Sequence, residues 1–127
     1  MPIFRTIPAA VAIATLACLA TTPASHAASF ACSKAKQPDE KAICADRGLS
    51  ELDVQMAAIY GVRLKIPMLM GERGAAQDEQ RAFLQSRATC GANVACLRAA
   101  YTQRIAALNQ ILDAAMQNYC VKLGICG

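Results

Sequence analysis

Cys90 and Cys96 have five residues between them, and the run Cys90-Gly-Ala-Asn-Val-Ala-Cys96 places Gly91 where a helix would stop and Asn93 where the next would be capped. That spacing predicts the turn of a helical hairpin closed by a small disulfide ring. From Leu97 onward, Tyr101, Ile105, Leu108, Leu112, Ala115 or Met116, and Tyr119 recur every three or four residues, the spacing that lines one face of an α-helix. Whatever precedes this long amphipathic segment has to cover its apolar face. The expected fold is therefore all-α: a small disulfide-stapled helical bundle with one short and three longer helices.

The first 27 residues read as a leader and not as part of the domain. Arg5 supplies a short positive region, Ile7 to Ala20 is almost wholly apolar, and Ser25-His26-Ala27 carries small residues at the alternate positions a signal peptidase reads. Cleavage is expected after Ala27, leaving residues 28–127 as one domain of about 100 residues, enough for a single core. The apolar run is short and quickly followed by Pro23, so no membrane span is expected. Thr15-Leu16-Ala17-Cys18 is a poor lipobox, which makes a lipid anchor at Cys18 the lesser alternative. A periplasmic or secreted protein follows from this reading.

Six cysteines remain after the leader: Cys32, Cys44, Cys90, Cys96, Cys120 and Cys126. An even count in a short exported chain points to disulfides, and local spacing favours Cys32 with Cys44, Cys90 with Cys96, and Cys120 with Cys126. Zinc is disfavoured, because the single histidine, His26, falls in the leader and none of these pairs has the C-x2-C spacing. No cofactor is expected. The net charge of +4 is spread over scattered arginines without a basic stripe or stacking aromatics, which argues against nucleic-acid binding.

Between the leader and the hairpin, Pro38-Asp39-Glu40-Lys41 reads as the first turn of a short helix that ends near Gly48. Ser50 reads as the cap of a second helix, with Leu49 stapled onto Val54, that runs until Pro67 stops it. Two glycines make Met68 to Gly74 a linker or a frayed helix end, and a third helix starts at Ala75. At 1.5 Å per residue the fourth helix, from about Ala95 to Tyr119, spans roughly 37 Å against roughly 25 Å for the second and third. Its overhang past Leu108 should lie beside the linker.

The ordered residues Ser29-Phe30-Ala31-Cys32, Glu40-Lys41-Ala42-Ile43-Cys44, Leu49, Leu52-Asp53, Tyr60, Gln80-Arg81-Ala82-Phe83-Leu84, Arg87, Cys90, Cys96-Leu97, Tyr101, Arg104-Ile105 and Leu108 resemble the small exported domain of the lysozyme inhibitor LprI family. The likeness runs from the start of the mature chain to about Ile111. It implies a helical, disulfide-stapled envelope protein, some relatives of which inhibit lysozyme. The chain departs from the pattern at Phe83, where tryptophan is usual, at Ala88, where an acid is usual, and in its added Cys120 and Cys126. Lysozymes are commonly basic, so a basic inhibitor would gain no long-range steering and would depend on local contacts.

Asp53, Tyr60, Arg87 and Arg104 fall on or near inner helix faces, where they suit a buried polar network that fixes helix register or, alternatively, a recognition site. The acid pairs Asp39-Glu40 and Asp78-Glu79 point about 100° apart on a helix and cannot flank one glycosidic bond. No nucleophile stands with a base to activate it, so the protein is not expected to be an enzyme. Met68 and Met70, with Met116 on the overhang, form a candidate apolar surface for a protein partner, lysozyme being the one the resemblance suggests. Arg73, between Gly71 and Gly74, is expected on a mobile loop, where it could reach the carboxylates of a lysozyme active site.

Overall fold

The structure, a computed structural model, describes residues 28–125. The expected leader, Cys18 within it and Cys126 lie outside the described residues. A single 3-10 turn, Cys32–Lys34, leads into α1 (Pro38–Ala45), α2 (Arg47–Lys65), α3 (Met70–Ala88) and α4 (Val94–Leu123), with no strand among the described residues. The most extensive packing is between α2 and α4, with α1 set across α2. None of these helices is long and apolar enough to cross a membrane.

Local chemistry sets each boundary. At the start of α1, Glu40 Oε2 accepts from the backbone N–H groups of Lys36 (2.8 Å) and Gln37 (3.0 Å), satisfying donors that a helix N-terminus leaves free. These same N–H groups hold the Glu40 carboxyl below its usual range. Only Asp46 separates α1 from α2. Its extended backbone breaks the helix, and its Oδ1 accepts from Leu49 N at 2.8 Å. The second helix is thus capped at Asp46, and Ser50 is not its cap. Ser50 is buried inside α2 and donates its hydroxyl to Ile43 O at 2.6 Å, taking up a carbonyl in the last turn of α1. Leu49 likewise does not staple onto Val54: it is fully buried in the core, while Val54 is exposed.

The third helix begins five residues earlier than its pattern suggests. Leu69 is extended, its N–H donates to Glu72 Oε2 at 3.2 Å, and Gly71 and Gly74 fall within the opening turns of α3. Arg73 therefore stands on a helix and not on a loop. Two glycines cost roughly 1 kcal/mol each in a helix interior, but an acid placed on the free N–H groups offsets part of that. At the hairpin, Gly91 takes a φ of 55° and Asn93 Oδ1 accepts from Cys96 N at 3.0 Å, as the sequence predicts. The longest helix then runs for 30 residues, about 45 Å, to the left-handed Gly124.

Cys32 is bonded to Cys44 and Cys90 to Cys96, so both rings lie at the end of the bundle where α3 meets α4. Cys120 is also disulfide-bonded. The core consists of Ile43, Leu49, Met56, Leu97, Tyr101, Ile105 and Leu108, with Phe30 and Phe83 packed onto it. It stops at Leu108. Past that residue the predicted apolar face of α4 is half-buried at Leu112 and exposed at Met116 and Tyr119.

Candidate functional site

Two polar clusters and one groove make up the chemistry of the bundle. In the core, each helix contributes one polar side chain to a single connected set. Arg87 of α3 donates from Nε to Asp39 Oδ2 of α1 at 2.9 Å and from Nη1 to the Tyr101 hydroxyl of α4 at 3.0 Å. Tyr101 in turn donates to Asp53 Oδ1 of α2 at 2.8 Å, and Asp53 Oδ2 accepts from the backbone N–H of Ser29 at 2.6 Å. Asp39 and Asp53 are each 1% exposed, and Arg87 is 7% exposed.

Such charges persist in an apolar core because each is answered by another. Burial pushes the Tyr101 phenol well above its ordinary range, and the adjacent Asp53 carboxylate pushes in the same direction. For Arg87 burial works against the charge, but Tyr101 and Asp39 outweigh it and hold the guanidinium above its usual value. Asp39 Oδ1 is buried with no hydrogen-bond partner among the described residues. The set binds helix to helix.

The second cluster lies nearer the far end. Glu79 takes a 2.5 Å bond from Arg63 and lies 3.7 Å from Arg104, while Arg104 also donates to Gln80 at 3.1 Å. The bond from Arg63 holds the Glu79 carboxyl below its normal range, and burial lowers Arg104 against the opposing pull of Glu79. Arg104 sits 5.8 Å from the Phe83 ring centroid, and Phe83 meets Tyr101 edge-on at 5.5 Å, so an aromatic bridge joins the two clusters.

Beyond Leu108 the helices part. A groove of about 610 Å³ opens between the end of α2, the start of α3 and the overhang of α4, lined by Ile66, Pro67, Met68, Ile111, Ala115 and Tyr119 among others. Tyr119 donates to Pro67 O at 3.4 Å across its mouth. Arg63 and Glu79 also line it, so the apolar walls carry a fixed ion pair. No membrane-spanning helix and no cluster of metal-binding side chains occurs among the described residues.

No family model, curated protein or solved structure matches this chain.

Of the four residues expected in a polar network, Asp53 and Arg87 are in the buried set, 3.8 Å apart, and Arg104 belongs to the second cluster. Tyr60 joins neither by hydrogen bond. It packs on the core, and its phenol acts electrostatically on Arg104. The tyrosine of the buried set is Tyr101, which helical spacing marked only as an apolar-face residue. Asp39 was legible only as an acid at a helix start, because its partner Arg87 lies 48 residues away. Met68 lines the groove and Met70, 91% exposed, stands just outside it. Met116 does not join them. It lies with Asp113, Gln117 and Cys120 on another side of α4, about 140° around the helix from Ile111.

Proposed function

We propose that the mature domain is an exported protein-binding module, periplasmic or secreted, that inhibits lysozyme and catalyses nothing. The observation that carries the binding role is the groove past Leu108: a long helix and two shorter ones leave apolar walls open to solvent, and Leu69 and Met70 beside it are 76% and 91% exposed. The disulfides Cys32–Cys44 and Cys90–Cys96 support an oxidising compartment. The choice of lysozyme rests on the resemblance to the LprI family, whose quoted residues in this chain, Asp53, Arg87, Tyr101 and the four cysteines, belong to the scaffold.

A second reading makes the same groove the docking face of an envelope adaptor without inhibitory activity. Mixing the purified mature protein with c-type and g-type lysozymes in a cell-wall clearing assay separates them. Slower clearing supports inhibition; unchanged clearing with both enzymes removes it for those targets and leaves the adaptor.

A further inference from the structure

The buried set does not balance its charge. Asp39 and Asp53 are each 1% exposed carboxyl groups, Tyr101 donates a hydrogen bond and stays neutral, and Arg87 is the one cation bonded to them among the described residues. Two carboxylates thus share one guanidinium, each of the four helices having supplied one group. Burying an uncompensated charge is strongly unfavourable, so such a set calls for a second cation.

The chain itself passes the Asp53 end of this set, while Asp39 Oδ1, unpartnered among the described residues, lies on the other side of Arg87. Asp53 Oδ2 accepts from Ser29 N at 2.6 Å, and Ala28, half-buried, packs against the core. Successive backbone nitrogens are at most about 3.7 Å apart, which puts the Ala28 nitrogen within roughly 6 Å of that carboxylate. In the full-length chain this nitrogen is a neutral amide. Hydrolysis of the Ala27–Ala28 bond by a leader peptidase adds water, leaving a carboxylate on the leader and, at neutral pH, an ammonium on Ala28.

We propose that Asp53 is the docking site of the mature amino terminus, so that leader removal delivers the missing positive charge to the buried set and locks the bundle. Processing and stability are coupled: the chain reaches its full stability only once it has been released. The Asp53 carboxylate faces Arg87 and Tyr101 and takes the Ser29 N–H on Oδ2, Asp39 is bonded to the same Arg87, and the Ala28 ammonium is the charge the lock adds to these groups. The inference depends on cleavage after Ala27, which the intact mass of the exported protein reports separately.

The test compares the exported protein beginning at Ala28 with one carrying Gly-Ser inserted between Ala27 and Ala28 and cleaved before the insertion. The extended protein should melt about 4 °C or more lower at pH 6.5. The Ala28 ammonium of the shorter protein should titrate above the ordinary range for an α-amine, about 7.7–8.0. Asp53→Asn should abolish both differences; should that variant not fold, acetylating the α-amine of the folded wild-type protein gives the same comparison and should lower its melting temperature. Equal melting temperatures together with an ordinary amine titration would overturn the proposal, as would a mature chain that starts elsewhere than Ala28.

Discussion

Tyr101 on α4 donates a hydrogen bond from its hydroxyl to Asp53 on α2 across 2.8 Å, 48 residues away in sequence, inside the buried core. Because Tyr101 also accepts from Arg87, and Arg87 donates to Asp39, one connected set spans α1 to α4. Removing Arg87 leaves two buried carboxylates without the guanidinium they share. Arg87→Ala should cost about 3–5 kcal/mol and Tyr101→Phe about 1–3 kcal/mol, read by urea unfolding. The double variant should be less destabilised than the two losses added together, since both act on one network.

The same set makes the fold sensitive to alkali. Tyr101 has its folded-state value raised above 10.0, so on raising the pH the unfolded chain loses this phenolic proton first. Its stabilisation is complete below about pH 10 and declines as the pH climbs beyond it. Urea midpoints should hold from pH 8 to about pH 10 and fall above it. The part of the fall owed to Tyr101 should vanish in Tyr101→Phe.

At the acid side the sign reverses. Glu79 is held below 4.5 by the bond from Arg63, so its contribution is present above that pH and lost as the pH drops through the lower folded value. Glu79→Gln should flatten the acid limb of the stability curve, and an unchanged limb would assign the acid sensitivity to other carboxylates.

The two rings of the near end close short loops, with sequence separations of 12 and 6. Chain-entropy arithmetic gives about 3 kcal/mol for Cys32–Cys44 and about 2 kcal/mol for Cys90–Cys96. Paired Cys→Ala variants should lose stability in that order by thermal unfolding.

Arg73 stands in the opening turns of α3, where the helix dipole is positive and a cation is out of place. Arg73→Glu should therefore raise stability by roughly 0.5 kcal/mol. In the clearing assay, Arg73→Ala with unchanged potency would discard a role for this guanidinium in the lysozyme active site.

How much of this was visible in the residues depends on range. Short-range chemistry was legible: the Gly91 and Asn93 hairpin, the stop at Pro67 and the two ring pairings all follow from residues no more than 12 positions apart. The Asp46 cap was missed because Ser50 offers an equally good capping side chain four residues later, and only burial against Ile43 decides between them. Gly71 and Gly74 disguised the start of α3, since glycine weakens a helix without forbidding it. The Asp39–Arg87 bond joins positions 48 apart, and no local pattern reports such a pairing. The length of α4 places Met116 on the overhang beside Met68, but the turn of the helix carries it to a different side.

The most direct measurement is lysozyme inhibition by the groove variant Ala114→Arg with Asn118→Arg, set beside Met116→Asp on the other side of α4. All three positions are exposed, so melting temperatures should stay near wild type. The binding account predicts that wild type and Met116→Asp slow cell-wall clearing while the groove variant does not. Full inhibition by the groove variant, or none by the wild-type protein, would contradict it.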